Sequence, residues 1–152
     1  MPETPAVQQN GLTVRRVWQA FLVLLFAMWW GGLTFYAIFV VPVGTQQIGS
    51  VGQGFITQKV TLAHNVLLIA MTICLLIEAR IQRSRWLGIV AAGLLLTGAG
   101  LFLQHAHLTT LMDFSQQTVP GHFYTQHAVY LWLTAVEWGL GFAVSAALRP
   151  QF

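Results

Sequence analysis

The sequence predicts an all-α integral membrane protein built as an antiparallel four-transmembrane-helix bundle. Three observations predict this fold class. Apolar residues make up 56% of the 152-residue chain and charged residues only 7%, whereas roughly a quarter of the residues in a soluble domain are charged. Four apolar stretches each approach the roughly 20 residues that a helix needs to cross the hydrocarbon core. The Lys and Arg residues lie at the ends of these stretches rather than inside them.

The chain divides into a short tail and one membrane domain. Residues 1–14 are polar and are predicted to form a disordered cytoplasmic tail. Residues 15–149 are predicted to form a single four-helix transmembrane domain with spans at about residues 17–43, 60–77, 86–106 and 122–148. The first apolar run is far longer than the roughly 7–15 residues of a signal-peptide core. We therefore expect the first run to be a retained transmembrane helix.

The links between the spans differ in composition. The link 44–59 is rich in Gly and Gln and is expected to lie along the membrane surface. The second span ends in a turn that contains three arginines, and the third span can continue as helix to Leu111. Gly93, Gly98 and Gly100 interrupt the third span, and such small residues let neighbouring helices approach closely. Pro120 is suitably placed to start the fourth helix.

The distribution of basic residues predicts the orientation. With a cytoplasmic N-terminus, six of the seven Lys and Arg residues lie on the cytoplasmic side and only Lys59 lies on the other. Lys and Arg favour the cytoplasmic side of membrane proteins. Both termini are therefore predicted to be cytoplasmic, in a bacterial inner membrane. Because the basic residues form no patch, we expect a lipid bilayer as the partner, with a homo-oligomer or larger membrane complex, and no nucleic acid.

In this orientation all histidines lie in the non-cytoplasmic half of the bundle. Neutral imidazole is a common ligand for Cu and Zn, and two imidazoles from different helices can hold a haem iron. No HExxH or CxxC motif, and no histidine pair three or four residues apart, supports a metal site. The same histidines are also explained as hydrogen-bonding residues at the level of the lipid headgroups. The candidate metal ligands are His64, His105, His107, His122 and His127.

For a haem b group the candidate axial ligands are His127 with either His64 or His105. Such a site requires a haem-sized cavity between the helices. His105 and His107 are two residues apart and point to opposite sides of a helix. They can therefore serve one site only if the helix has already ended there.

The fourth helix carries a polar stripe on an otherwise apolar surface. His127, Tyr130, Thr134 and Glu137 follow one another at intervals of three and four residues and so share one face. Glu137 lies about 15 Å deeper than His127 at 1.5 Å per residue. An ionisable group near mid-bilayer is costly and should face the bundle interior with a partner. We expect Glu137, Tyr130 and Thr134 to be buried polar residues with a structural or proton-handling role.

Two segments carry a resemblance to a known family. The segment WWGGLTFYAIFVVPVGTQQIG and the later block HAHLTTLMD…GHFYTQHAVYLWLTAVEW resemble a family of small bacterial four-helix membrane proteins. That family is related to the one typified by transmembrane protein 205. The resemblance implies a four-helix membrane protein without an assigned reaction. It also implies a remote relation to copper-resistance-D-like membrane proteins and to a haem-binding protoporphyrinogen oxidase, although this chain lacks a histidine in its first span.

Three functions remain open from the sequence. The first is a non-enzymatic or accessory membrane protein with a polar, histidine-bearing outer end. The second is a protein that binds or handles Cu or Zn. The third is a membrane oxidoreductase that binds haem b. No arrangement of a nucleophile with a base, and no phosphate-binding loop, indicates a hydrolase or a kinase.

Overall fold

The computed structural model describes residues 5–148, and it places the side chains of residue 11 and residues 13–148. The described chain is all-helical, as predicted, apart from one isolated bridge between Asp113 and Thr118. Short π-helical segments at Ala27–Gly31 and Tyr36–Val40 join the first three helices. The α-helices are α1 (Pro5–Phe26), α2 (Gly32–Phe35), α3 (Val41–Ile81), α4 (Arg85–Leu111) and α5 (Phe123–Ala147).

Three helical stretches are long and apolar enough to cross a membrane, namely Thr13–Ile81, Arg85–Leu111 and Phe123–Ala147. Many large apolar side chains on them face outward, and Leu96, Leu103 and Trp132 are each at least 74% exposed. Such an apolar exterior suits a lipid environment, because lipid tails solvate these side chains and water does not. The described fold therefore fits a membrane protein.

The stretch Thr13–Ile81 contains a break at Gly49, where φ is 78° and ψ is 164°. Glycine adopts positive φ without the steric cost that a Cβ would add. On each side of the break, the segment that was expected to be a surface link (44–59) is helical. Its polar side chains bond to neighbours, since Gln53 Nε2 donates to Tyr36 Oη at 3.2 Å. Helical backbone also begins at Pro5, within the tail predicted to be disordered, and residues 1–4 lie outside the described range.

Gly49 divides this stretch into a first arm, residues 13–48, and a second arm, residues 50–81. The two arms run antiparallel against each other. Near the break, Tyr36 Oη donates to Thr57 Oγ1 at 3.0 Å. At the far end of the arms, Arg15 Nη1 donates to Glu78 Oε2 at 2.9 Å. Tyr36 and Thr57 lie close to Gly49 in the sequence, and Arg15 and Glu78 lie far from it on either side. This nested pairing means that the chain reverses direction at Gly49.

One face of α1 makes these contacts. Its side chains recur at intervals of three and four residues, which places them on one side of the helix. Leu22 of α1 is fully buried and Leu25 is 8% exposed, and the stripe continues to the fully buried Trp29 in the π-helical segment that follows. Arg15 and Trp18 continue the same stripe toward the N-terminus and bond to Glu78. The stripe therefore fixes α1 against α3 with polar residues at one end and apolar residues along its length.

Glycines bring α4 close to its neighbours, which confirms their predicted role. A Cβ added at Gly98 would lie 3.1 Å from Leu68 Cδ2 of α3. A Cβ added at Gly93 would lie 3.4 Å from Leu140 Cδ1 of α5. Small residues thus let large leucines on both neighbouring helices pack against the α4 backbone.

The turns at the two ends of α4 are ordered by side-chain hydrogen bonds. Ser84 caps the start of α4, where its hydroxyl accepts from the Leu87 amide at 3.3 Å. In the link after α4, Asp113 Oδ1 accepts from the amides of Ser115 at 2.9 Å and Gln116 at 3.0 Å. The Ser115 hydroxyl adds a third bond to Asp113 Oδ1 at 2.7 Å. These bonds stabilise the ionised carboxylate and so lower the pKa of Asp113. The Ser115 hydroxyl makes the largest contribution, and the two amides add to it.

Candidate functional site

A cavity of about 260 Å³ lies between α3, α4 and α5 at the histidine-bearing end of the molecule. Its polar lining comes from all three helices, and its apolar lining includes Leu108, Met112, Phe123 and Leu131. Tyr124 and Leu131 belong to this lining and are 55% and 54% exposed. The cavity therefore reaches the outer surface of the helices. Its polar lining residues include Thr45, Ser50, Gln53, Thr57, Gln58, Thr61, His105, Thr109, His127 and Tyr130.

Several polar groups around the cavity bond to one another. Gln53 Nε2 donates to Thr57 Oγ1 at 3.2 Å, and Thr57 Oγ1 donates to the Gln53 carbonyl at 2.8 Å. Gln58 Nε2 donates to Thr109 Oγ1 at 3.5 Å. Thr109 Oγ1 in turn donates to the carbonyl of His105 at 2.9 Å. The bond between Gln58 and Thr109 ties α3 to α4. All of these bonds leave the groups involved with less capacity for a ligand.

His105 is the exception. It is only 9% exposed, and neither ring nitrogen has a hydrogen-bond partner in the described part of the chain. A neutral imidazole offers one donor and one acceptor. Leaving a buried polar group unsatisfied costs about 1–3 kcal/mol. His105 belongs to the lining of the cavity, but each of its ring nitrogens exposes less than 1 Å², so the nitrogens themselves do not open onto the cavity.

The other histidines lie in different surroundings. His127 lines the same cavity and stacks on Phe123, with ring centroids 5.7 Å apart and an angle of 13° between the planes. His107 and His122 are exposed. The buried position of His105 and the exposed position of His107 confirm that these two rings point to different sides of α4. The structure thus brings two of the five histidines to the cavity.

His64 lies deeper in the bundle and contacts Glu137. Its Nε2 lies 3.0 Å from Glu137 Oε1, and the same oxygen accepts from Trp29 Nε1 at 2.6 Å. Glu137 is 1% exposed. The carboxylate therefore joins the first arm, α3 and α5 at one point. The sequence indicated that Glu137 needs an interior partner, but it did not identify Trp29. The signal that could have identified Trp29 is its position at the end of the buried stripe that begins on α1.

A buried amide lies beside this carboxylate site. Asn65 is fully buried, and neither its amide nitrogen nor its amide oxygen has a hydrogen-bond partner among residues 5–148. The Tyr130 hydroxyl faces the side chains of Asn65 and Thr61. Thr134, predicted to be a buried polar residue, is half-buried and bonds to its own helix, donating to the Tyr130 carbonyl at 3.0 Å. Tyr130 thus links the cavity lining to the region of Asn65 and Glu137.

A second buried carboxylate lies at the opposite end of the bundle. Glu78 is 1% exposed and accepts from Arg15, from Trp18 Nε1 at 2.7 Å and from Gln19 Nε2 at 3.3 Å. Gln82, the residue directly after α3, adds a further bond. The sequence could not indicate this site, because spacing does not reveal that a residue 63 positions away is the partner of Glu78.

The described residues contain no group of three or more His, Cys, Asp or Glu side chains that could hold a metal ion. His64 is hydrogen-bonded to Glu137, and the exposed His107 and His122 are absent from the cavity lining. The cavity volume of about 260 Å³ is below the roughly 300–1,000 Å³ of typical ligand pockets. A haem is itself a large ligand, so the described cavity does not meet the size requirement of the haem hypothesis. The metal and haem sites therefore stay predictions, since the described residues do not bring a complete set of ligands together.

Aromatic residues fasten the first arm to α5. Trp30 stacks on Trp138 with centroids 5.9 Å apart, and its Nε1 donates to the Trp138 carbonyl at 2.9 Å. Trp138 Nε1 donates back to Thr34 Oγ1 at 3.0 Å. Gly141 makes room for this packing, because a Cβ there would overlap the Trp30 indole. The tryptophans of the WWGG segment therefore hold helices together.

Comparison with known protein families, curated proteins and solved structures finds no match for this chain. The resemblance to the relatives of transmembrane protein 205 therefore stays a prediction. The functional argument depends on the geometry of the described residues.

Proposed function

We propose that this chain is a non-enzymatic, four-helix integral membrane protein that binds a small molecule at its non-cytoplasmic end. The single observation that carries this proposal is the cavity between α3, α4 and α5, whose lining combines apolar walls with polar side chains from all three helices. Concave, mostly apolar sites with a few converging polar groups are typical of small-molecule binding.

The four-helix count is supported by length and by the break at Gly49. A straight helix of 69 residues would extend about 100 Å at 1.5 Å per residue, but the hydrocarbon core is only about 30 Å thick. Reversal at Gly49 gives two arms, each of suitable length to cross once. Together with α4 and α5 these arms make four crossing segments, and their antiparallel contacts make the bundle.

The orientation is supported by the charges at the two ends. The turn that joins α3 to α4 contains Arg80, Arg83 and Arg85, and Arg15 pairs with Glu78 at the same end. Positive residues favour the cytoplasmic side. The cavity at the opposite end then faces the outer half of a bacterial inner membrane, and both termini are cytoplasmic.

An accessory role in an oligomer or larger membrane complex is consistent with the exposed apolar faces. A groove of about 190 Å³ between α3 and α4 is lined mainly by apolar residues such as Ile69, Ile73, Leu95 and Phe102. In a membrane either lipid tails or a neighbouring helix can cover such a groove. The partner stays a prediction.

Haem b and Cu or Zn are a second candidate, which one observation favours. His105 and His127 line the same cavity and would supply two imidazole ligands. Two histidines are enough for the axial positions of a haem but fewer than the three or four protein ligands of typical zinc sites. The volume of the cavity weighs against haem, so we rank this candidate below a smaller organic ligand.

The test is to find what the purified protein retains. Wild type, His105→Phe and His107→Phe would be purified in mild detergent and compared by native mass spectrometry, elemental analysis and absorption spectroscopy. We expect a bound small molecule in wild type and in His107→Phe that is lost in His105→Phe. Equal retention in all three proteins would contradict a site at His105. A Soret band or stoichiometric Cu or Zn lost only in His105→Phe would select the second candidate instead.

A further inference from the structure

An apolar groove of about 190 Å³ runs along the outside of the bundle between α3 and α4. On α3 its lining extends from Leu68 to Leu76, which is about 12 Å along the helix at 1.5 Å per residue. Among the described lining residues only Thr72 is polar, and its hydroxyl already donates to the Leu68 carbonyl at 2.8 Å. Ile73 and Leu95, one from each wall, are exposed, so the groove opens outward. The groove is therefore suited to an elongated apolar group that lies parallel to the helices.

Arginines lie at one end of this groove. Ile73 and Leu76 line the groove, and Ile73, Leu76 and Arg80 follow one another at intervals of three and four residues, which places them on one face of α3. Arg80 is exposed and lies one helical turn beyond Leu76. The other wall belongs to α4, which begins with the exposed Arg85, and Arg83 lies in the short turn between the two helices. The groove therefore leads to a cluster of three arginines, called here the basic turn.

The charge of the basic turn has no acidic partner in the described part of the chain. The nearest carboxylate in the sequence, Glu78, is buried and bonded to Arg15 of the first arm. Glu78 and Arg80 are two residues apart, so they lie on nearly opposite sides of α3. Within residues 5–148 no side-chain hydrogen bond or ion pair engages any of the three arginines. The basic turn is therefore free to bind an anion.

A single molecule that occupies the groove and the basic turn must join an anionic group to an apolar chain. Arginine binds phosphate oxygens through charge-assisted and often bidentate hydrogen bonds. Basic clusters beside membrane-spanning helices bind anionic lipid headgroups. Arg80 lies about 6 Å beyond Leu76 along the helix axis, which leaves space for a glycerol backbone between a phosphate at Arg80 and a chain in the groove.

A second copy of this chain suits the groove less well. Two copies inserted in the same orientation hold their basic turns at the same depth in the membrane. If their grooves packed together, the two basic turns would approach each other, and like charges repel. A lipid phosphate instead supplies the opposite charge, so the charges favour a lipid over a second copy.

From these observations we infer that the groove and the basic turn form one binding site for an anionic phospholipid, with an acyl chain in the groove and the phosphate at Arg80. This lipid site goes beyond the proposed binding of a small molecule in the cavity between α3, α4 and α5. The groove and the cavity share no lining residue. The two sites can therefore be tested separately.

Three probes separate the headgroup from the chains. Dioleoyl phosphatidylglycerol has two acyl chains and an anionic headgroup, dioleoyl phosphatidylcholine has the same chains without net charge, and glycerol phosphate has the anionic group without chains. Delipidated wild-type protein in mild detergent would be titrated with each probe, and binding would be measured by native mass spectrometry. An arginine near an anionic lipid strengthens binding by about fivefold. We expect saturable binding of phosphatidylglycerol, binding of phosphatidylcholine weaker by about fivefold or more, and no binding of glycerol phosphate at the same concentrations.

Two arginine variants assign the headgroup to the basic turn. Arg80→Gln should weaken the binding of phosphatidylglycerol by about fivefold and leave the binding of phosphatidylcholine unchanged. Arg16→Gln is the matched control, because Arg16 is also exposed at this end but belongs to the first arm, which bonds to Glu78 on the other side of α3. We expect no change in lipid binding for Arg16→Gln.

Two alanine variants assign the acyl chain to the groove. Ala99 lines the groove and is exposed, so Ala99→Phe fills the groove without entering the core. Ala106 is exposed on the same helix, two turns further from the basic turn, and does not line the groove. We expect Ala99→Phe to weaken the binding of phosphatidylglycerol and Ala106→Phe to leave it unchanged.

Several results would overturn the lipid site. Equal binding of the two lipids by wild type would exclude recognition of the headgroup, and equal losses in Arg80→Gln and Arg16→Gln would show only a general attraction to the positive end. Binding of glycerol phosphate as tight as that of phosphatidylglycerol would indicate a site for free phosphate. Unchanged binding in Ala99→Phe would exclude the groove, and a wild-type dimer that dissociates in Ala99→Phe would show that a second copy occupies it. Because the comparison of probes uses wild type alone, misfolding of a variant would not obscure the result, and failure of the lipid site would leave the cavity proposal standing.

Discussion

Nε2 of His64 lies 3.0 Å from Oε1 of Glu137, a residue 73 positions further along the chain. The same oxygen accepts a hydrogen bond from Trp29, so a single carboxylate oxygen connects three helical segments in the interior of the bundle. Truncating Glu137 would leave an imidazole and an indole N–H without a partner. The contact therefore predicts that Glu137 is important for stability independently of any ligand.

Glu137→Leu should destabilise the protein by about 2–6 kcal/mol, because the Trp29 indole and the His64 ring each lose their partner at about 1–3 kcal/mol. Glu137→Gln has nearly the same shape and retains an oxygen acceptor for Trp29, so we expect a smaller loss. Unfolding midpoints in detergent would measure both. Equal midpoints for the Leu variant and wild type would contradict the buried contact.

Arg15 should stabilise the first arm through its hydrogen bonds to the buried Glu78. Arg15→Met removes these bonds and should lower the free energy of unfolding. Hydrogen bonds to charged groups contribute about 1.5–3 kcal/mol. Because the Arg15 side chain is 37% exposed, we expect a loss at the lower end of that range. Arg16 is its exposed neighbour, and Arg16→Met is the matched control with little expected effect. Similar losses in the two variants would point to a general charge effect in place of the specific pair.

The contact between the first arm and α5 predicts unequal effects for two nearby glycines. Gly141→Ala would push a methyl group into the Trp30 indole, whereas Gly139→Ala meets nothing within 4 Å. Overpacking of this kind costs about 1–3 kcal/mol, and an exposed helical Gly→Ala change stabilises by about 0.5–1 kcal/mol. Thermal unfolding of the two variants would reveal opposite signs. A stabilising Gly141→Ala change would show that Trp30 does not pack there.

The break at Gly49 predicts a position that requires glycine. Gly49→Ala has space for the new methyl group, but φ of 78° with ψ of 164° puts an L-residue in a strained conformation, which costs about 1–3 kcal/mol. Gly32→Ala lies in α2, also with open space and without a positive φ, and serves as the control. Destabilisation confined to Gly49→Ala is expected in unfolding experiments. No difference between the two would argue against the described break.

The link after α4 should depend on pH through Asp113. Hydrogen bonds from the Ser115 hydroxyl and from the Ser115 and Gln116 amides lower the pKa of this carboxyl. A lowered folded-state pKa stabilises the link above the ordinary Asp pKa, and this contribution is lost as pH falls through the lowered value. Amide chemical shifts of Ser115 and Gln116 should therefore change together below about pH 4. They should lack this transition in Asp113→Ala.

Much of the fold could be predicted from the sequence, and the reason is physical. A lipid-exposed backbone must satisfy its hydrogen bonds locally, so long apolar runs become helices. The third and fourth predicted spans correspond to α4 and α5, with α4 extending to Leu111 and α5 beginning at Phe123. The link 44–59 was expected along the membrane surface from its Gly and Gln content, and the structure shows that it is helical on both sides of Gly49, with Gln53 bonded to Tyr36.

The candidate site was predicted in part. The spacing of His127, Tyr130, Thr134 and Glu137 placed a polar stripe on the fourth helix, and the need of a buried carboxylate for a partner followed from the cost of charge in lipid. The sequence could not distinguish His105, which lines the cavity, from His107, which is exposed. Both residues have the same chemistry, and only the packing of α4 against α3 and α5 separates them.

The sequence by itself determined that the chain is helical, suited to lipid, and polar at one end, because these properties depend on composition and on local periodicity. Only the tertiary structure decided that Glu78 bonds to Arg15, that Glu137 bonds to Trp29 and His64, and that His105 remains unpaired beside a cavity. Such partners lie dozens of residues apart. Their meeting depends on the angle and register of packed helices, which many side chains set together and no single motif encodes.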